Sequence, residues 1–187
     1  MKKTIKIAVA ASLMLTFGGV AQASEPYVGL GLGAFNLGSG VTKKATTGAY
    51  LQLGDDFSEN FGGEIRIGKT GTTGEELTLQ PRMGIDYFAA AYLKPRYEFD
   101  ERWMAYALLG VATVRSSYSE PGLVKQTKTR TGYSYGLGAQ YRVMDDYSIG
   151  LEYSHMLSKP KTNAIAIKTN FQGLEASSLS LNAQYHF

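Results

Sequence analysis

The chain has 187 residues, of which 19 are Lys or Arg, 16 are Asp or Glu and none is Cys. A chain without cysteine forms no disulfide and offers no thiol nucleophile or thiolate metal ligand. The three bases in excess are Lys2, Lys3 and Lys6, so the remainder is neutral and its charge does not indicate a nucleic-acid partner.

The first 23 residues have the pattern of a cleaved signal peptide. The three lysines precede an apolar run from Ile7 to Phe17, and Ala21 and Ala23 supply the small residues before a cleavage site. The run is shorter than the roughly 20 residues that a transmembrane helix needs, although a retained N-terminal anchor remains an alternative. We therefore expect residues 24–187 to form one exported domain.

Apolar and polar residues alternate with a period of two through most of the mature chain, which is typical of β-strands. The alternating segments are 27–34, 49–54, 61–68, 85–99, 133–143, 147–154 and 179–187. In the fourth segment the alternation predicts that Ile85 faces outward and Asp86 inward. Residues 103–115 are apolar on both sides, so they form an eighth strand whose facing stays undecided.

Eight strands with one oily and one polar face predict an all-β fold, an eight-stranded antiparallel transmembrane up-and-down β-barrel. Short turns are expected at 55–59, 100–102 and 144–146, facing the periplasm, and long outer loops at 37–47, 70–84, 116–131 and 157–177. Residues 77–82 belong either to a loop or to an extension of the fourth strand, because Pro81 would interrupt a strand ladder.

The alternation directs a set of charged and polar side chains into the barrel. They are Glu64, Arg66, Lys94, Arg96, Glu98, Gln140, Arg142 and Glu152. An eight-stranded barrel is only wide enough to be filled by side chains, so opposite charges are expected to pair and plug it. An ion-conducting path gated by exchange between such pairs is the alternative.

Basic residues collect in the predicted outer loops. They are Lys43, Lys44, Lys125, Lys128, Arg130, Lys159, Lys161 and Lys168. A basic outer rim indicates contact with the phosphates of lipopolysaccharide or with acidic host or surface glycans. The alternative is that these loops are simply polar.

The segments YVGLGLGAFN, YALLGVATV, TGYSYGLGAQYRV and YSIGLEYSH, with the terminal YHF, resemble the outer membrane protein A and opacity-protein barrel family. The resemblance implies a non-porin in the outer membrane of a Gram-negative bacterium, with colonisation-type members such as accessory colonization factor A as the nearest comparison. It also implies that Leu181, Tyr185 and Phe187 form the signal for the barrel-assembly machinery. Since no peptidoglycan-binding domain follows Phe187, we expect no tether to the cell wall.

A lipid A-modifying enzyme is the second functional hypothesis, because some small outer-membrane barrels act on lipid A. Of the two histidines, His186 is expected in the lumen and His155 at the outer membrane interface. Alternation puts Ser154 and Ser158 on the strand face opposite His155, which disfavours a nucleophile–base pair. We therefore predict a non-enzymatic protein without metal or cofactor that acts through its loops in adhesion or colonisation.

Several tyrosines could form either a glycan-stacking set or interfacial aromatic belts. They are Tyr50, Tyr92, Tyr133, Tyr135 and Tyr147. The belts are the simpler interpretation, since aromatic girdles occur at both interfaces of such barrels.

Overall fold

The computed structural model describes residues 24–39, 42–73, 82–119, 126–156 and 174–187, and the predicted signal peptide lies outside them. The described residues form strands connected in chain order. They are β1 (Glu25–Ser39), β2 (Thr42–Asp56), β3 (Phe61–Thr70), β4 (Thr72–Thr73), β5 (Arg82–Glu98), β6 (Trp103–Ser119), β7 (Gln126–Met144), β8 (Tyr147–Met156) and β9 (Leu174–His186).

The strands form one closed antiparallel barrel. Sequence neighbours pair throughout, and β9 closes the sheet by pairing with β1. The two-residue strand β4 follows β3 after Gly71, and both pair with β5, so β3 and β4 together occupy a single position in the wall. The predicted eight-stranded antiparallel barrel is therefore confirmed.

Closure of the barrel staggers the strands by ten residues. A path of directly paired residues that starts at Tyr27 returns to the same strand at Leu37. It passes through Gly54, Glu64, Tyr92, Gly110, Ser134, Met156 and Ala176. A stagger of this kind tilts the strands against the barrel axis and sets the width of the interior.

The two ends of the barrel differ. The connections at residues 57–60, 99–102 and 145–146 are short and lie at one end, which we call the turn end; we call the opposite end the loop end. Two predicted turns extend one or two residues beyond the observed ones, which is the usual error at strand boundaries.

The outer surface is an apolar band between two groups of aromatic side chains. Leu32, Ile67 and Leu137 are among the exposed aliphatic residues in the middle. Trp103, Tyr147 and Phe187 lie toward the turn end, and Tyr87, Tyr133 and Tyr153 toward the loop end. This is the surface expected of a barrel wall that faces lipid. Within the described ranges, no helix has the length and apolar character needed to cross a bilayer.

The facing of β6, which the sequence leaves open, is decided by its neighbours. Met104, Tyr106 and Leu108 are buried inside, whereas Trp103 and Leu109 are exposed outside. Tyr106 pairs with Gly138, and a Cβ atom on this glycine of β7 would overlap the Tyr106 ring, so Gly138 makes room for the inward tyrosine.

The facing predicted for Ile85 and Asp86 is wrong. Ile85 is 1% exposed inside the barrel and Asp86 is exposed. The register between β5 and β6 shifts between Ile85 and Tyr87, as in a β-bulge, which reverses the alternation on the loop-end side of the shift. The Ile85 amide donates a hydrogen bond of 3.0 Å to the hydroxyl of Thr70.

The strands are longer than predicted at the loop end. The predicted loops 37–47 and 116–131 are mostly continued strand, because β1 pairs with β2 up to Ser39 and Thr42, and β6 pairs with β7 up to Tyr118 and Gln126. Beyond the apolar band a strand needs no oily face, so the alternation fades although the backbone pairing continues. Of residues 77–82, only Arg82 is described, and it begins β5.

Candidate functional site

A buried ion cluster occupies the middle of the lumen. The Arg66 guanidinium donates to both carboxylate oxygens of Glu152, at 2.5 and 2.7 Å, and its Nε donates to Glu64. All three residues are at most 4% exposed. A two-pronged contact between a guanidinium and a carboxylate is among the strongest side-chain interactions, and here it joins β3 to β8 across the barrel.

Four tyrosines surround this cluster. Tyr27 donates to Glu64 at 2.6 Å and Tyr106 donates to Glu152 at 2.9 Å. The Arg66 guanidinium carbon lies 4.8 Å from the ring centre of Tyr50 and 5.2 Å from that of Tyr92. The aromatic faces and hydroxyls therefore replace the water that a buried guanidinium and two carboxylates would lose.

A second ion cluster lies nearer the turn end. Lys94 is 3.1 Å from Asp56 and donates to the Tyr27 hydroxyl at 3.0 Å, while Arg96 also pairs with Asp56. The cations Arg66, Lys94 and Arg96 thus balance the anions Glu64, Glu152 and Asp56. Charge balance lowers the cost of removing these groups from water.

Four large aromatic side chains of the lumen each lie over a glycine on a neighbouring strand. The pairs Tyr27–Gly54, Gly31–Tyr50, Gly68–Phe88 and Tyr106–Gly138 are direct partners in the strand register. A Cβ atom on any of these glycines would overlap the facing ring. The inward glycines therefore provide space for the rings that fill the barrel.

The loop-end part of the lumen is apolar, whereas the alternation predicts a polar, charged interior. We call this group the loop-end cluster; it consists of Phe35, Leu37, Ile85, Phe88, Ala112, Val114, Met156 and Ala176. The ring centres of Phe35 and Phe88 are 5.9 Å apart. The two rings belong to an apolar layer on the loop-end side of the ion cluster.

The eight residues predicted to point inward do not share one environment. Glu64, Arg66, Lys94, Gln140 and Glu152 are buried inside. Arg96 is partly buried and also pairs with Glu98, at 2.9 Å. Arg142 pairs at 3.3 Å with Glu25, and the side chains of Glu98, Arg142 and Glu25 are 51%, 36% and 43% exposed. The last three therefore form the rim of the turn end.

Some residues of the lumen were missed. The sequence analysis places Asp56 in the predicted turn 55–59, but Asp56 continues the inward series of Gln52 and Gly54, so extending the alternation by one step identifies it. The belt interpretation is wrong for Tyr50 and Tyr92, which are buried inside and hydrogen-bonded to Ser180 and Ser134. In the alternation of their strands, Tyr50 and Tyr92 fall on the same face as the inward residues, and this pattern could have identified them.

The predicted basic loop residues lie in two settings. Lys43 and Lys44 belong to β2, and Lys128 and Arg130 to β7, so their assignment to loops is wrong. Their strands continue past the outer aromatic residues, which keeps these four positions at the loop end. Lys125, Lys159, Lys161 and Lys168 lie outside the described residues.

Residues Leu181, Tyr185 and Phe187 all face outward on or after β9. Leu181 is 67% and Phe187 is 69% exposed. The Tyr185 ring centre lies 5.0 Å from that of Tyr147 and 5.1 Å from that of Phe187. The Phe187 amide also donates to the carbonyl of Pro26 at 3.0 Å, so the end of the chain is tied to β1.

The histidines form no catalytic arrangement in the described part of the chain. The ring of His155 stacks on Tyr135 at 5.2 Å, while Ser154 points inward and bonds Ser178 at 2.7 Å. His186 lies inside and is 2.9 Å from the Ser148 hydroxyl. Ser158 lies outside the described residues. The described residues also contain no group of three potential metal ligands.

A closed antiparallel barrel with an apolar outer band, aromatic girdles and a filled interior defines the class of eight-stranded outer-membrane barrels. Residues 7–187 match the family model described as outer membrane protein beta-barrel domain. The chain belongs to this family and is a protein of the Gram-negative outer membrane.

Solved structures share the fold at low sequence identity. Neisserial surface protein A is 12% identical with a TM-score of 0.69, and Ail of Yersinia pestis is 18% identical with a TM-score of 0.62; both alignments cover 89% of this chain and 100% of the other. OprG from Pseudomonas aeruginosa is 10% identical with a TM-score of 0.54, covering 87% of this chain and 96% of that one. No curated protein sequence matches the chain significantly.

Proposed function

We propose that this protein is a sealed, non-enzymatic scaffold whose basic loop-end rim binds anionic glycans and so supports adhesion or colonisation. The observation that carries the proposal is the filled lumen, combined with strands that continue past the outer aromatic residues. A barrel without a path through it acts by what it presents at its surface, and binding residues commonly lie on the segments that a rigid scaffold projects.

The interior supports a scaffold better than a pore. Arg66 is locked between two carboxylates, and the loop-end cluster lies between this ion cluster and the loop end. A conducting path would have to break the ion pairs and also open the apolar layer. Steady ohmic conductance of the pure protein in planar bilayers would contradict the sealed scaffold; we expect none.

The rim supplies charge that is complementary to sulfate and carboxylate groups. Lys128 is exposed and Arg130 is half-buried on β7, and the β6–β7 ladder continues past them to Tyr118 and Gln126. Lys43 and Lys44 lie at the matching end of β2. The predicted loop residues Lys125, Lys159, Lys161 and Lys168 would enlarge this basic surface, and clustered cations raise the rate and affinity of anion binding.

Two further partners belong to the proposal. The outward Leu181, Tyr185 and Phe187 would be read by the barrel-assembly machinery, and the apolar band would contact outer-membrane lipids, including lipopolysaccharide. Both interactions serve placement in the membrane, whereas the rim serves contact with other surfaces.

Glycan binding is tested on intact cells with a fluorescent heparin fragment, and with sucrose octasulfate as competitor. The probe follows from the structure of Ail, which was solved with that heparin analogue bound. We expect Lys125→Gln/Lys128→Gln/Arg130→Gln to weaken binding at least about tenfold and rising salt to weaken wild-type binding.

The matched control is Thr127→Ala/Thr129→Ala, which changes exposed side chains of the same strand without changing charge. Assembly of every variant is checked by the difference in electrophoretic migration with and without boiling. Equal heparin binding by the assembled wild-type protein and the charge variant would overturn the rim assignment.

A further inference from the structure

Three outward side chains occupy adjacent positions at the outer aromatic girdle, on neighbouring strands. They are Lys69 near the end of β3, Tyr87 on β5 and Arg115 on β6. All three are exposed, and Tyr87 is 45% exposed. None belongs to the lumen or to the predicted basic loops, so the function proposed above does not use them.

The strand register places these residues beside one another. Tyr87 pairs with Arg115, whose guanidinium carbon lies 5.9 Å from the centre of the tyrosine ring. Gly68 pairs with Phe88, so the next step along both strands brings Lys69 opposite Tyr87. Neighbouring strands are about 4.8 Å apart, so the backbones of Lys69 and Arg115 are separated by about 10 Å. Two long cationic side chains can converge on one group above the Tyr87 ring.

The two cations have no anionic partner among the described residues. The nearby carboxylate of Asp86 accepts a hydrogen bond of 2.9 Å from Ser117, and no carboxylate of the described ranges forms an ion pair with Lys69 or Arg115. The buried lumen cations Arg66 and Lys94 and the partly buried Arg96 are all paired. The protein thus neutralises its buried cations and leaves these two available.

The position of the three residues relative to the apolar band indicates which ligand they bind. Ile67 and Ala89, the next outward residues toward the middle of the barrel on β3 and β5, lie in the apolar band, while Thr113 and Thr131 bond each other beside Arg115. The three residues therefore lie where acyl chains give way to headgroups. In a Gram-negative outer leaflet, the anionic group at that depth is a phosphate of lipid A.

We propose that Lys69, Tyr87 and Arg115 form a binding site for one phosphate group of lipid A on the outer wall of the barrel. Arg115 offers a planar fork of donors, Lys69 a mobile positive charge and Tyr87 a hydroxyl donor at the membrane interface. The proposal rests on the outer-membrane location alone and would survive the failure of glycan binding.

Native mass spectrometry of the assembled protein in detergent tests the site directly. The lipids are diphosphoryl lipid A, the same lipid fully dephosphorylated, and phosphatidylglycerol. We expect Lys69→Gln/Arg115→Gln to bind diphosphoryl lipid A about thirtyfold more weakly than the wild type does. Tyr87→Phe should lose less affinity for diphosphoryl lipid A, because this variant keeps both positive charges.

The matched control is Arg102→Gln, which removes an exposed cation that donates to Tyr141 at 3.4 Å at the opposite end of the barrel. It should bind lipid A as the wild type does, and sucrose octasulfate binding should be unchanged in Lys69→Gln/Arg115→Gln. Equal lipid A binding by the wild type and that double variant would overturn the site.

Phosphatidylglycerol or dephosphorylated lipid A bound as tightly as diphosphoryl lipid A would also overturn it. This comparison uses only the wild-type protein, so it remains decisive if the double variant fails to assemble.

Discussion

The two halves of the lumen are filled by different chemistry. Toward the turn end, ion pairs and hydrogen bonds connect Arg66, Glu152 and Asp56 with Lys94 and the surrounding tyrosines. Toward the loop end, the loop-end cluster packs without a charged group. In the turn-end half, the stability of each buried ion depends on its partner. In the loop-end half, stability depends only on the shape and volume of the packed side chains.

A barrel of fixed width can therefore be filled in two ways, and mutations should destabilise the two kinds of filling to different extents. Removing one member of a buried ion cluster leaves an uncompensated charge, while truncating an apolar side chain leaves a cavity. The first loss is expected to exceed the second. Free energies of unfolding, measured in urea titrations that follow Trp103 fluorescence, test that order.

The largest effect is expected from Arg66→Met, which leaves Glu64 and Glu152 facing each other without a cation. The loss should be about 3–5 kcal/mol. Adding Glu64→Gln and Glu152→Gln should recover most of it, because the buried negative charges are then removed. A loss that stays equally large after these two changes would show that the guanidinium acts through packing and not through charge.

The next effect is expected from Leu37→Ala in the loop-end cluster. Leu37 is fully buried, so the loss should be about 2–5 kcal/mol. Leu32→Ala is the control on the same strand, since Leu32 faces outward, where acyl chains can close the gap. We expect the control to cost at least about 1 kcal/mol less. Equal losses would contradict a tightly packed interior at the loop end.

A smaller effect is expected from Gly31→Ala, because the added methyl group would overlap the ring of Tyr50. Overpacking of this kind costs about 1–3 kcal/mol. At Gly63 the nearest atom to a new Cβ lies 3.5 Å away, so Gly63→Ala should be tolerated. If both changes lowered the free energy of unfolding equally, packing of a ring over the glycine would not explain why glycine occurs at these lumen positions.

The smallest effect is expected from Glu25→Gln at the turn-end rim. Its partner Arg142 lies 3.3 Å away and both side chains are more than a third exposed. Solvent screening limits such a pair to about 0–1 kcal/mol, and added salt should reduce the difference further. If Glu25→Gln lowered the free energy of unfolding as much as Arg66→Met does, the exposed ion pair at the rim would be as important for stability as the buried ion cluster, contrary to the comparison drawn above.

Most of the wall could be predicted from the sequence. Wherever one side of a strand meets lipid, the side chains must alternate, so segments such as 61–68 and 133–143 show their facing directly. The inward position of Glu64, Arg66 and Glu152 follows from the same parity. Their mutual contacts do not, because the residues are far apart in the chain and only the ten-residue stagger brings β3 and β8 to matching heights.

Other features leave no reliable trace in a single sequence. The bulge at Ile85 reverses two side chains without changing the composition of the strand. The strand ends beyond the apolar band pair through their backbones, and their side chains carry no alternating signal. The inward position of Tyr106 on β6 depends on Gly138, which lies on another strand.

The class of fold, the number of strands and most of the side chains that point into the barrel follow from the sequence alone, because lipid on one side imposes a period of two on the strands that cross it. Only the tertiary structure decided which inward residues meet, that the loop-end half is apolar, and that Lys69, Tyr87 and Arg115 adjoin on the outer wall. These depend on how the strands slide past one another when the sheet closes, and that register is a property of the whole barrel.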